Sequence, residues 1–240
     1  MGRINKSIIF ACLVLFSISF TFAVQPFGAE TLNVVSSTSS PVTPAASAEA
    51  QAGNVTELNI FGVSVTQTWQ GYFGNVSGTL QLADSSDNIM YNWSLADPEG
   101  EVYASRLSSV NWENIQCFNW SENGTWLESD FGISPGDVDG VNETFSYDNL
   151  HDLFFTNQHQ FNEGECMSTY IYDNSSSSVD NHFEEVLLWD GTDVVFTSLL
   201  EEQSVNGFDG KDHDFEMLVL EDGHETDVDV TTYYFYVELQ

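Results

Sequence analysis

From Ile60 onward, hydrophobic and polar positions alternate. Phe61, Val63, Val65 and Trp69 stand on one side of a segment whose other side is Ile60, Gly62, Ser64, Thr66 and Thr68. Val76, Leu80 and Leu82 alternate with Ser77, Thr79 and Gln81, and Ile89, Tyr91, Trp93 and Leu95 with Asn88, Asn92 and Ser94. Successive side chains on a strand point to opposite faces, so each run predicts a strand with one buried face. The breaks between them, Gly74-Asn75, Asp84-Ser85-Ser86-Asp87 and Asp97-Pro98-Glu99-Gly100, carry turn-forming residues. Further strands are expected at 101–105, 167–173, 183–189, 193–200 and 213–220, with Asp190-Gly191 as a hairpin turn. In residues 231–240, TTYYFYVELQ, Tyr233, Phe235, Val237 and Leu239 oppose Thr232, Tyr234, Tyr236, Glu238 and Gln240. That pattern predicts a half-buried strand paired within its own chain. Leu150, Leu153 and Phe154 after Asp148 have helical spacing and suggest one short helix. The expected fold is all-β: an antiparallel β-sandwich of about nine strands with an irregular insertion at roughly 112–166.

Two segments precede this domain. Residues 1–23 carry Arg3 and Lys6, an apolar stretch from Ile8 and Thr21-Phe22-Ala23, the layout of a secretory signal cleaved after Ala23. An uncleaved anchor is the alternative. Residues 24–53 include SSTSSPVTPAASAEAQAG, a Ser/Thr/Pro/Ala mixture with too little apolar surface to order itself, and predict a linker or stalk before a domain at 54–240.

Charge narrows the function. The chain has 37 acidic and 4 basic residues, a net charge of −33, and two of the four bases lie in the leader. Such a surface repels phosphate backbones and anionic membranes, which excludes nucleic acid as a partner. Hydrophobic residues still make up 42% of the chain, enough for a core, so it is not a disordered acidic tail. Outside the leader the cysteines are Cys117 and Cys166, which predict one disulfide in an oxidising compartment.

Candidate chemistry is sparse. Asn-x-Ser/Thr sequons occur at Asn54, Asn75, Asn92, Asn119, Asn123, Asn142 and Asn174, and predict N-glycosylation. The stretch SPGDVDGVNETF sets Asp137, Asp139, Asn142 and Glu143 around Gly136 and Gly140, a partial match to a calcium loop. Calcium is the only cofactor the sequence suggests, and a solvated acidic turn is the competing reading. His151, His159, His182, His213 and His224 form no zinc spacing, and no GxSxG or phosphate loop occurs. No catalytic residue is assigned. Trp112, Trp120 and Trp126, in the insertion near two sequons, are candidates for a platform that stacks sugar rings, against the competing role of core residues.

Leader, Ser/Thr/Pro-rich stalk, sequon-rich acidic sandwich and paired cysteines together resemble the secreted ectodomains of archaeal cell-surface glycoproteins. The resemblance implies an extracellular or cell-surface location and a structural or adhesive role among other envelope proteins, copies of the same chain or surface glycans. The alternative is a soluble calcium- or carbohydrate-binding module, and a secreted hydrolase comes third.

Overall fold

The computed structural model describes residues 25–95, 98–179, 182–201, 205–224 and 230–239. The expected leader lies outside these residues. In chain order the strands are β1 (Phe27–Gly28), β2 (Trp69–Gly74), β3 (Gly78–Ala83), β4 (Ile89–Leu95), β5 (Gly100–Ser105), β6 (Gln116–Cys117), β7 (Phe154–Thr156) and β8 (His159–Phe161). Then follow β9 (Ser168–Tyr170), β10 (Glu184–Trp189), β11 (Val194–Leu199), β12 (Val205–Asn206), β13 (Asp212–His213), β14 (Phe215–Leu220) and β15 (Tyr234–Leu239). The class is all-β and every ladder is antiparallel.

A seven-stranded sheet in the order β1-β15-β5-β11-β10-β6, with β9 also on β10, forms the centre. The outer neighbour of β10 is a split strand: Ser168–Tyr170 pair with Val186–Glu184, and Gln116–Cys117 pair with Trp189–Leu188. The insertion leaves the sheet at that split, and the Cys117–Cys166 disulfide, with Cα atoms 5.0 Å apart, closes its root.

Strands β5, β10 and β11 are buried almost throughout, because the sheet is covered on both faces. On one face Ala104, Leu187 and Phe196 pack under Met217, Val219 and Leu220 of the β2–β14 pair and under Phe118, Phe131 and Phe145 of the insertion. Ser198 Oγ donates to the Glu216 carbonyl at 2.9 Å and the Leu218 amide to Glu185 Oε2 at 2.8 Å, joining the two layers. On the other face Tyr103, Val186, Leu188 and Tyr236 pack against Trp112, Ile115, Phe154 and Phe161.

Two sequence expectations are corrected. The alternating segment before Trp69 is not a strand: residues 58–67 are exposed coil, with Phe61 at 91% and Val63 at 79% exposure, because no strand among the described residues offers them a partner. The short helix near 150 is also absent. Leu150 and Leu153 are exposed, and Phe154 instead stacks on Phe161 across the β7–β8 hairpin at 4.9 Å between ring centroids. The helices lie at Thr125–Asp130 and Val141–Thr144, with a π-turn at Trp120–Gly124. The Ser/Thr/Pro/Ala-rich stretch is exposed and without helix or strand. Before it, Phe27 and Gly28 pair with Val237 and Tyr236; after it, β2 begins. Both ends of this exposed segment are therefore fastened to the same body.

Candidate functional site

The β3–β4 hairpin projects from the body. Its base is held where Gly78 meets the Leu239 side chain, too close for a Cβ, and where Leu95 packs on the core. Beyond that base its two strands pair only with one another among the described residues. The register sets Leu80 opposite Trp93 and Leu82 opposite Tyr91, so these four form one face, with the Tyr91 and Trp93 rings 4.9 Å apart. Thr79, Gln81, Asn92 and Ser94 form the other. All four apolar side chains are exposed, and Met90 is 81% exposed. A two-stranded hairpin with an uncovered apolar face is marginally stable by itself in water.

Charge is missing from this region. No Asp, Glu, Lys or Arg lies between Glu57 and Asp84, nor between Asp87 and Asp97, in a chain of net charge −33. The uncharged stretch takes in the exposed coil at 58–65 and the whole hairpin except its turn. The charge gap was legible in the sequence; that no layer among the described residues covers the face was not, because alternation shows a face without showing what meets it.

A second feature is an acidic cleft of about 510 Å³, whose wall carries Glu99, Glu101, Asp152, Glu184, Glu201 and His182. Glu184 Oε2 accepts the Asp152 amide and Glu201 Oε1 the Phe183 amide, both at 2.6 Å, so these carboxylates tie loops to the sheet. At the wall Glu101 sits opposite Glu238, on β5 and β15, each 3% exposed. The Tyr103 hydroxyl lies 3.1 Å from Glu238 Oε2 and 3.4 Å from Glu101 Oε2, and Glu238 Oε2 also accepts the Asn157 amide. Burial and the neighbouring carboxylate push Glu101 well above the usual range, and burial pushes Glu238 up to about 7. The two acids are bridged by a phenol and do not flank a gap that a glycosidic bond could enter.

The calcium-loop candidates lie around one turn, where the Glu143 and Glu128 carboxylates and the Asp137 carbonyl all approach Gly140. Asp137 Oδ2 accepts the Ser134 amide at 2.8 Å; Asp139 accepts Thr66 Oγ1 at 2.5 Å and, through its carbonyl, Trp69 Nε1 at 2.7 Å. Asn142 and Glu143 are exposed on the following helix. Among the described residues no group of three or more His, Cys, Asp or Glu is arranged to hold a metal. His151 is a satisfied core residue: its Nδ1–H donates to the Asp152 carbonyl, its Nε2 accepts the Cys166 amide at 3.0 Å, and burial lowers its pKa.

The three tryptophans do not form one platform. Trp112 is 4% exposed and edge-on to Tyr236, which makes it core. Trp126 is exposed against Trp189, with the Arg106 guanidinium 6.0 Å from its ring, and Trp120 borders a hollow of about 580 Å³ with Glu128, Asn142 and Glu143. Six of the sequon asparagines are exposed and Asn123 is half-buried. No family model matches the chain, and no curated protein or solved structure matches it.

Proposed function

We propose that this chain is an exported, N-glycosylated acidic protein of a cell envelope, with a structural or adhesive role, which meets other envelope proteins or its own copies through the uncharged β surface. The observation that carries the reading is the apolar face of Leu80, Leu82, Tyr91 and Trp93, left open on a projecting hairpin free of charged residues outside its turn. A large exposed apolar patch rimmed by polar surface is the usual mark of a binding face. Asn92 lies on the opposite side of the hairpin, so a glycan there would leave the apolar face open while shielding its back. The accessible sequons, the disulfide at the root of the insertion and the resemblance to archaeal surface ectodomains support the same reading.

The test pairs Leu80→Lys with Trp93→Lys. Both side chains are exposed, so the thermal midpoint should hold, while binding to isolated envelopes of the source cell weakens by about tenfold or more. Undiminished binding by the variant would remove the surface from the function. Glycosylation is read separately, as an intact mass above that of the bare polypeptide that falls when glycans are released.

A further inference from the structure

We infer that residues 58–65, LNIFGVSV, form a donor strand that adds to the β3–β4 hairpin of a second copy of this chain. This rests on the functional reading above and names the partner of that surface. The segment has the alternation of a strand without a sheet. Phe61, Val63 and Val65 share a side, and Leu58, Ile60, Phe61, Val63 and Val65 are all exposed. The hairpin has the reverse deficiency, with outer edges unpaired and an apolar face uncovered among the described residues. Adding an extended segment to a free edge satisfies backbone donors and acceptors on both sides, while alternate side chains cover the face.

The segment cannot readily serve its own hairpin. Its C-terminal end is fixed by Thr66 Oγ1 on Asp139, by the Gly223 amide on the Gln67 carbonyl at 2.9 Å and by the Glu221 amide on the Thr68 carbonyl at 2.8 Å. From there β2 runs six residues before the hairpin begins. At about 3.3 Å per residue that is roughly 20 Å, so most of 58–65 would be used in recrossing β2 and too little would remain to pair. The far end of the arm is fastened as well, at Gly28 on β15.

Charge selects the second copy as occupant. Two molecules of net charge −33 repel wherever their carboxylates meet, and both the segment and the hairpin strands are uncharged. A basic partner would be drawn to the acidic surface elsewhere, and a charge-free face offers it no attraction.

The experiment uses the full chain, processed as its own host processes it, in about 1 M salt so that the Debye length is only about 3 Å. One variant deletes residues 54–65; another carries Leu82→Lys with Tyr91→Lys. Circular dichroism and the thermal midpoint confirm that each folds, and light scattering after size exclusion reads mass against concentration. The native chain should associate, each variant alone should be monomeric, and an equimolar mixture should recover a pair, since one partner keeps the arm and the other the hairpin. Phe61→Asp in the arm should weaken association by about tenfold or more. A peptide of residues 56–66 should bind the deleted form and block its pairing. Self-association of the deleted form at native strength would overturn the arm's role while leaving the hairpin as the binding face. A mixture that stays monomeric, or a native chain that stays monomeric while binding neutral phosphatidylcholine vesicles, would overturn the inference outright.

Discussion

A carboxyl group can stay inside a folded protein when it keeps its proton or has its lone pairs taken up. Glu238, Glu216 and Glu185 show three degrees of this. Glu238 accepts from Tyr103 and Asn157; Glu216 accepts the Phe208 amide at 2.9 Å; Glu185, fully buried, has one oxygen on the Leu218 amide and the other without a hydrogen-bond partner among the described residues. Burial raises all three, Glu238 and Glu216 from 4.5 to about 7 and Glu185 well beyond the usual range. A raised carboxyl pKa means the folded state holds its proton more tightly than the unfolded state. The stabilisation is therefore complete below pH 4.5 and is lost as pH rises through about 7. Glu238→Gln keeps the acceptor for Asn157 and removes the titration. In urea unfolding at fixed high salt, the variant should match the native protein near pH 4.5 and be more stable at pH 8; parallel midpoint curves would show that this proton does not matter. The sequence placed Glu238 and Tyr236 on a solvent side with Tyr234. Alternation identified the face that meets β14, but the opposing cover comes from Trp112, Phe154 and Phe161, far away in sequence, so the second core could not be read from period alone.

At the scale of elements, the insertion is a loop grown out of a split strand. Cys117 and Cys166 sit where its two halves meet beside Leu187, whose amide donates to the Met167 carbonyl and whose carbonyl accepts the Phe118 amide, both at 3.0 Å. The disulfide spans 49 residues, and closing a loop of that length lowers unfolded-state entropy by an equivalent of about 4 kcal/mol. Cys117→Ser should lower the unfolding free energy by about that much, with the far-UV spectrum retained while folded, because the β9–β10 and β6–β10 pairings remain. A loss below about 1 kcal/mol would mean that Arg106 and the aromatic packing already fix the insertion. Arg106 bonds Asp193 through Nε and Nη2 at 2.9 and 2.8 Å, reaches Asp130 at the end of the Thr125–Asp130 helix, and covers Phe131 at 4.6 Å. The disulfide, the central strands and the Asp190-Gly191 turn were legible because each is local or, for the cysteines, had one partner to choose. Residues 58–67 and 148–154 misled because helical and strand spacing there is short, and neighbours chosen by tertiary packing decided the outcome.

For the whole molecule, repulsion opposes both folding and association. Described Lys and Arg partners are few: Arg106 serves Asp193 and Asp130, and Lys211 serves Asp209 at 2.8 Å. Most of the 37 acidic side chains therefore depend on water and dissolved cations for compensation. Screening shortens their reach from about 10 Å at 0.1 M salt to about 3 Å at 1 M, which acts most on exposed pairs and less on the partly buried Arg106–Asp193 contact. The thermal midpoint should consequently climb between 0.1 and 1 M sodium chloride and flatten above it. Potassium chloride should give the same curve, whereas an uncharged osmolyte that only strengthens apolar burial should raise the midpoint without that flattening. Association should follow the same salt range, since two copies must first approach through like-charged surroundings before their uncharged hairpins and arms can meet. A midpoint insensitive to salt would mean that the acidic residues are neutralised in pairs or by bound ions, and that charge does not restrict where this molecule can be touched.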